Sequence, residues 1–156
     1  MTIYNFYAYN RDGKCIFYRE WQRYHNPLGD NTDEDQKLIF GLAFSCQQLA
    51  QTLSPSAKGR GDFQCFKTTK VPSKVNGKVQ ANGYAMHHYE TLHGLRFILN
   101  TDTDAPSMRP VLKYIYSDIY VKHIVRNPLA TPGDKIEAPR FAEALENYIH
   151  SLKTFK

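Results

Sequence analysis

Residues 3–18 read IYNFYAYNRDGKCIFY, and the fold begins with this stretch. Two runs rich in aromatic and β-branched residues, Ile3–Tyr9 and Cys15–Tyr18, flank the polar segment Asn10–Lys14. The pair Asp12-Gly13 within that segment is a turn signal, because glycine adopts the backbone conformations that tight hairpin turns require. The stretch therefore predicts an antiparallel β-hairpin.

A long helix is predicted downstream of the hairpin, from about Glu34 to Leu53, with Ser54-Pro55 ending it. The acidic residues at 30–35 lie at its N-terminus, where negative charge interacts favourably with the helix dipole. Spacing at 3.6 residues per turn predicts an apolar stripe that covers a sheet. Its members are Leu38, Leu42, Cys46, Leu49 and Leu53, widened by Ile39.

Phe40 and Phe44 lie four residues apart on a different face of the same helix. One domain's core does not easily use both faces, so either the helix is sandwiched within the fold or this face meets another protein. We predict the second, with Phe40 and Phe44 as subunit-interface residues. The alternative is that both rings close over the domain's own C-terminal helix.

The rest of the chain predicts three more strands and two more helices. The strands are Asp62–Thr69, Tyr84–Thr91 and Leu95–Thr101, and the helices are 107–125 and 139–153. The core stripe of the second helix is Met108, Val111, Leu112, Ile115 and Ile119, and that of the third is Phe141, Leu145, Tyr148, Ile149 and Leu152. Tyr114 and Val121 lie on another side of the second helix and are predicted as further interface residues.

The order β-β-α-β-β-β-α-α predicts an α+β fold, with a five-stranded antiparallel sheet covered by three helices. With 156 residues, the chain has the usual size of one domain, and we predict a single domain over 1–156.

The segment 70–83 is predicted to be a lysine-rich loop insertion within that domain. No acidic residue occurs between Phe63 and Tyr89, whereas Lys70, Lys74 and Lys78 do. The segment is either a solvated, mobile hairpin loop, favoured by Asn76-Gly77 and Asn82-Gly83, or a peripheral contact with an anionic membrane or an acidic partner.

Motifs for catalysis, cofactors and metals are missing from the sequence. It contains no GxSxG, Walker, GxGxxG or HExxH pattern. The three cysteines are widely spaced, and the adjacent His87 and His88 would point to opposite faces of a strand, so neither set has the arrangement of a metal site. A mild net charge of +5 and the lack of an RNA-binding aromatic signature argue against nucleic acid. We expect no catalytic residues and no cofactor.

The element order resembles the longin fold, and several segments resemble subunit one of the transport protein particle (TRAPP) complex. They are the opening 3–7 with 12–15 and 19–21, the first-helix segment 37–45, the hairpin segment 89–91 with Gly94 and 100–102, and the second-helix segment 115–117 with 120–121 and 127–129. These segments stand in order over nearly the whole chain. The insertion at 70–83 is the main departure.

The resemblance implies a non-catalytic scaffold subunit that assembles with other TRAPP subunits. It further implies guanine-nucleotide exchange on a Rab-family GTPase by the complex, and vesicle tethering in ER-to-Golgi transport. The expected location is the cytoplasm, peripheral at the cis-Golgi and endoplasmic reticulum. This location agrees with the lack of a signal-peptide pattern or a membrane-spanning apolar stretch in the sequence. The alternative is a longin-type adaptor or coat small subunit that binds sorting motifs.

Overall fold

The computed structural model describes residues 1–22, 31–55, 62–69, 71–75 and 78–152. For 71–75 and 78–82 it describes the backbone alone. The strands are β1 (Ile3–Tyr9), β2 (Cys15–Glu20), β3 (Cys65–Lys67), β4 (Val71–Val75), β5 (Lys78–Asn82), β6 (Ala85–Glu90) and β7 (Arg96–Thr101). The helices are α1 (Thr32–Thr52), α2 (Arg109–Tyr114) and α3 (Pro139–Ser151). Helix α2 continues directly into a π-helix over Ile115–Val125, called here the π-segment.

The main sheet has five strands in the order β2-β1-β7-β6-β3, and all of its pairings are antiparallel. The predicted hairpin is confirmed, because β1 pairs with β2 and Gly13 in the turn has a φ of +83°. The predicted α+β architecture, with a five-stranded antiparallel sheet covered by helices, is also confirmed.

The hairpin loop predicted within residues 70–83 contains two strands, which the prediction did not assign. Strands β4 and β5 pair with each other in a separate two-stranded sheet. Valine at positions 71, 75 and 79 favours extended backbone, which explains why this segment forms strands. Lys70 and residues 76–77 lie outside the described residues.

The two faces of the main sheet carry different side chains, because successive residues of a strand alternate in direction. On β1, Phe6 and Ala8 join the larger apolar core beneath α2, the π-segment and α3. Tyr7 and Tyr9 join a smaller core beneath α1. A register shift between Ile3 and Asn5 interrupts the alternation at the start of the strand. The result is three layers, with the sheet between α1 and the remaining helices.

The predicted sheet-facing stripe of α1 is wrong for three of its leucines, although Ile39 and Leu42 do pack on the core. Leu38, Leu49 and Leu53 are 57%, 59% and 71% exposed, whereas Asp35 and Ala43 are buried against the sheet. Ile39, Phe40 and Leu42 pack at the edges of the small core. The helix is thus rotated so that a small residue and a polar residue face the strands.

The tyrosines of β1 explain this rotation. The Tyr7 hydroxyl donates a hydrogen bond of 2.7 Å to the Asp35 carboxylate, and the Tyr9 hydroxyl donates one of 2.7 Å to the Gln36 carbonyl. Two large rings already fill the space above the sheet, so Ala43 fits where leucine would not. Burial raises the pKa of Tyr9 far above its usual range, and the neighbouring Cys15, Asp35 and Tyr18 add to this shift, so Tyr9 stays a donor.

On the opposite face, the predicted stripes of the second and third helices are largely confirmed. Met108, Leu112, Ile115, Ile119 and, on α3, Phe141, Leu145 and Ile149 are buried, with Val111, Tyr148 and Leu152 packed at the margin. The π-segment departs from the predicted α-helix. Its buried residues also include Tyr120 and Ile124, because π-type i→i+5 bonding lengthens the repeat beyond 3.6 residues.

Ala43 provides a test of the rotation of α1. Ala43→Leu is expected to destabilise the protein by about 1–3 kcal/mol, because the added methylene groups overpack the space above the tyrosines. Leu49→Ala is expected to change stability by about 0.5 kcal/mol or less, since Leu49 is mostly exposed. Urea unfolding measures both changes. The exposed Ser45→Leu serves as the matched control, and a larger cost for Leu49→Ala than for Ala43→Leu would restore the leucine stripe as the core face.

Candidate docking surface

The structure divides the four predicted interface residues between two layers. Phe40 and Phe44 lie on α1, above one face of the sheet, whereas Tyr114 and Val121 lie at the end of α2 and in the π-segment, above the other. They therefore form two separate candidate contacts.

Phe40 and Phe44 stack on each other along α1, with ring centroids 6.3 Å apart and an interplanar angle of 24°. Phe40 is half-buried and packs against Tyr9, with centroids 5.3 Å apart. Phe44 remains 44% exposed. The alternative that both rings close over the C-terminal helix is wrong, because α3 packs on the opposite face of the sheet. Phe40 belongs partly to the core, and Phe44 is the ring available to a partner.

The β1–β2 turn supports Phe40 from below. A Cβ atom at Gly13 would lie 2.8 Å from Phe40 Cζ, which is closer than real Cβ contacts come. Gly13 is therefore required both for its positive φ and for the close approach of this ring.

Arg96, at the start of β7, holds the two rings from the side. Its guanidinium carbon lies 5.2 Å from the Phe40 centroid and 5.8 Å from the Phe44 centroid, within the range of cation–π attraction. Glu90 on β6 accepts from this guanidinium, with Nε 3.4 Å from Oε1, and Gln47 on α1 donates to the other Glu90 oxygen. We call Phe40, Phe44 and Arg96 the ring stack.

The exposed leucines of α1 form a second apolar strip, separate from Phe44. Leu38, Leu49 and Leu53 recur with the half-buried Leu42 on the flank of α1 opposite to Phe44. A helix of 21 residues spans roughly 30 Å, so this leucine row is long enough for an extended contact. Exposed apolar patches of this kind typically mark protein interfaces.

Tyr114 and Val121 have different surroundings. Tyr114 is exposed and stacks on Tyr148 of α3, with centroids 4.4 Å apart and an angle of 28°. Val121 is half-buried and lines a cavity of about 650 Å³ between the two hairpin turns, the π-segment and the loop at 132–134. The cavity borders Arg11 and Asp12, next to the turn residue that supports Phe40.

The buried histidines have structural contacts. His87 Nε2 lies 3.0 Å from Thr101 Oγ1, and the His88 ring stacks on Phe63 with centroids 4.4 Å apart. The His88 Nδ1 atom lies 3.6 Å from the Asp62 carboxylate. Among the described residues, no group of three or more His, Cys, Asp or Glu side chains is placed to hold a metal ion.

Burial also suppresses the reactivity of a thiol beside the ring stack. Desolvation raises the pKa of Cys15, at the start of β2, to about 11, although hydrogen bonding with the backbone of Phe17 and Ala8 acts in the opposite direction. A thiol in this state is a poor nucleophile at neutral pH.

In the part of the chain that the structure describes, no helix has the length and apolar character needed to cross a bilayer.

The sequence prediction did not identify Arg96, Glu90 and Gln47 as parts of the surface, nor the leucine row. The leucines were noticed but predicted to face the sheet, whereas three of them are exposed. The sequence feature that could have indicated the rotation is Asp35, which is buried on the same helix. For Arg96 the signal was weaker, because an alternating strand does not indicate which helix side chains lie beside it.

Comparison with known proteins shows similarity over nearly the whole chain. A model of the Sybindin-like family matches residues 3–152. Trafficking protein particle complex subunit 1 of Dictyostelium discoideum is 33% identical over 154 residues, covering 98% of both chains. Its Homo sapiens counterpart is 34% identical over 155 residues, covering 99% of this chain and 97% of the relative. Trafficking protein particle complex subunit BET5 of Saccharomyces cerevisiae is 35% identical over 142 residues, covering 88% and 80%.

His87 gives the fold a pH dependence. Desolvation lowers the pKa of its imidazole from the ordinary 6.5 to about 4, and the charge of Lys67 adds to this effect. Between these pH values the unfolded chain binds a proton that the folded chain does not. The free energy of unfolding should therefore fall as the pH drops below 6.5, with a contribution of up to about 3 kcal/mol from this group by pH 4.

Urea unfolding of the wild type and His87→Gln between pH 7 and pH 4.5 measures this effect. The variant should lose less stability on acidification than the wild type. His93→Gln, on the exposed β6–β7 turn, should keep the wild-type slope. Equal slopes for wild type and His87→Gln would contradict the assignment.

Proposed function

Because this chain belongs to the Sybindin-like family, we propose that it is a non-catalytic scaffold subunit of a TRAPP complex, bound to sister subunits through α1. The resemblance to subunit one inferred from the sequence segments is confirmed by relatives of that name. The observation that carries the proposal is that α1 leaves apolar side chains exposed on two flanks, with Phe44 on one and Leu38, Leu49 and Leu53 on the other.

The chemistry of that surface favours a protein partner. Phe44 is flanked by a stacked ring and a paired guanidinium, and aromatic residues supported in this way are typical anchors of interfaces. The stacked Tyr114 and Tyr148 supply a second, smaller contact on the opposite layer. A subunit placed between neighbours uses surfaces on both sides of its sheet.

The finer part of the proposal concerns what the assembly does. The complex catalyses nucleotide exchange on a Rab-family GTPase by binding the nucleotide-free form more tightly than the loaded form, and it takes part in vesicle tethering in ER-to-Golgi transport. It acts in the cytoplasm, peripherally at the cis-Golgi and endoplasmic reticulum. The family resemblance supports this part, and so does the lack of any catalytic sequence motif. The lysine-rich segment 70–83 adds contact with an anionic membrane surface.

Nucleotide release tests the finer part. The chain alone and the complex purified through a tag on it are each mixed with a panel of Rab GTPases loaded with a fluorescent nucleotide. The chain alone should leave the release rate unchanged, and the complex should accelerate release from one early-Golgi Rab. Recovery of adaptin-like partners, or a purified complex without exchange activity, would favour the adaptor alternative.

Phe44 tests the surface itself. Phe44→Ala should weaken binding of the chain to its co-expressed sister subunits by about tenfold, as expected for an aromatic anchor. The melting temperature of the isolated chain should stay near the wild-type value, because Phe44 is exposed. Leu129→Ala is the matched control, since Leu129 is 95% exposed and lies on a loop away from α1. An unchanged affinity for Phe44→Ala would exclude this ring from the interface.

A further inference from the structure

Arg96 is fixed from three directions, although its side chain carries a full charge. It is only 13% exposed, Glu90 accepts from it through Nε and Nη2, and both rings of α1 flank its guanidinium. Glu90 is itself held by Gln47. These side-chain contacts thus link Gln47 on α1 to Glu90 on β6 and Arg96 on β7, and Arg96 contacts α1 again at the two rings.

This arrangement restricts Phe44 more than its exposure alone would predict. A half-exposed aromatic side chain on a helix samples more than one rotamer unless its neighbours exclude the others. Phe40 lies on one side of Phe44, and the guanidinium of Arg96 lies 5.8 Å from its centroid. Phe40 in turn rests on Tyr9 and over Gly13, so the supporting ring is held by the sheet.

We infer that Arg96 is a positioning residue for partner binding, which, with Glu90, holds the exposed Phe44 ring in the orientation that receives an apolar side chain of a sister subunit. The inference rests on the proposed function, because it presumes that Phe44 is in the interface. Fixing a side chain before binding removes the entropy cost of ordering it during binding. Arg96 therefore increases affinity without itself contacting the partner.

Arginine suits this role because its guanidinium is planar and lies flat beside a ring while its edge binds a carboxylate. A lysine keeps the charge but loses the plane and the fixed geometry of the donors. Glu90→Gln keeps the shape of the carboxylate partner but removes its charge. Both changes are therefore expected to loosen the ring without removing an apolar contact from the surface.

The test uses Arg96→Lys and Glu90→Gln in the full chain, with Arg126→Lys as the matched control at an exposed arginine after the π-segment. The probe is the set of remaining complex subunits, co-expressed without this chain and titrated with each variant. Arg96→Lys and Glu90→Gln should each weaken binding by about 3- to 10-fold, as expected from releasing one ordered side chain. Arg126→Lys should bind like the wild type.

Two further measurements separate positioning from folding. Each free variant should stay folded at the assay temperature, with a melting temperature lowered only modestly by the change in this largely buried ion pair. Fluorophenylalanine at position 44 should show a narrower, shifted ¹⁹F signal when the ring becomes mobile. Wild-type affinity for both variants, while Phe44→Ala still weakens binding, would overturn the role of Arg96 and leave the interface standing. A binding loss that only follows a lowered melting temperature would also overturn it. No effect of Phe44→Ala would overturn the interface and the inference together.

Discussion

A buried chain of hydrogen bonds beneath α1 determines which of its residues reach the surface. Asn100 on β7 donates to Asn5 on β1 at 2.8 Å, Asn5 donates to the Tyr7 hydroxyl at 3.2 Å, and Tyr7 donates to Asp35 at 2.7 Å. Buried polar groups are costly when unpaired, so Asp35 has to face the sheet. Once Asp35 and Ala43 point inward, the period of the helix directs the leucine row and Phe44 outward.

The two faces of the sheet follow different packing rules as a result. Beneath α2, the π-segment and α3 the core is predominantly apolar, and large side chains such as Phe97 and Phe141 fill the space between the sheet and the helices. Beneath α1 the interface with the sheet is partly polar, with two tyrosines whose hydroxyls end on the helix. A helix attached by a few polar contacts and a narrow apolar strip leaves most of its circumference available for partners.

This difference explains how much of the structure could be predicted from the sequence. The strands of the main sheet, α3 and the buried residues of α2 could be predicted from the sequence. In an apolar core, the alternation of a strand and the period of a helix show directly which residues are buried. For α1 the same rule failed, because it places leucines in the core and charged residues at the surface. Asp35 is buried instead, since the Tyr7 hydroxyl donates a hydrogen bond to it. The π-segment and the strand pairing of β4 with β5 were missed for another reason: both depend on backbone hydrogen bonds, which hydrophobic spacing hardly records. Phe40 and Phe44 were predicted as interface residues because two phenylalanines on a second face exceed what one core needs. The structure leaves Phe44 exposed but packs Phe40 against Tyr9. The contact of Arg96 with both rings could not be predicted, because it joins positions 56 and 52 residues apart.

The outward position of the leucine row and Phe44 also affects the chain when it is isolated from its partners. Apolar side chains on the surface favour association with any available apolar surface, so the leucine row and Phe44 are a liability unless a specific partner covers them. The ring stack reduces this liability in one respect. A ring held between Phe40 and a guanidinium presents one shape, and a partner has to match that shape and tolerate the adjacent charge. The leucine row has no such support and adapts to different neighbours. Selectivity for the correct subunit should therefore reside mainly at Phe44, whereas the leucine row should supply area once that contact has formed.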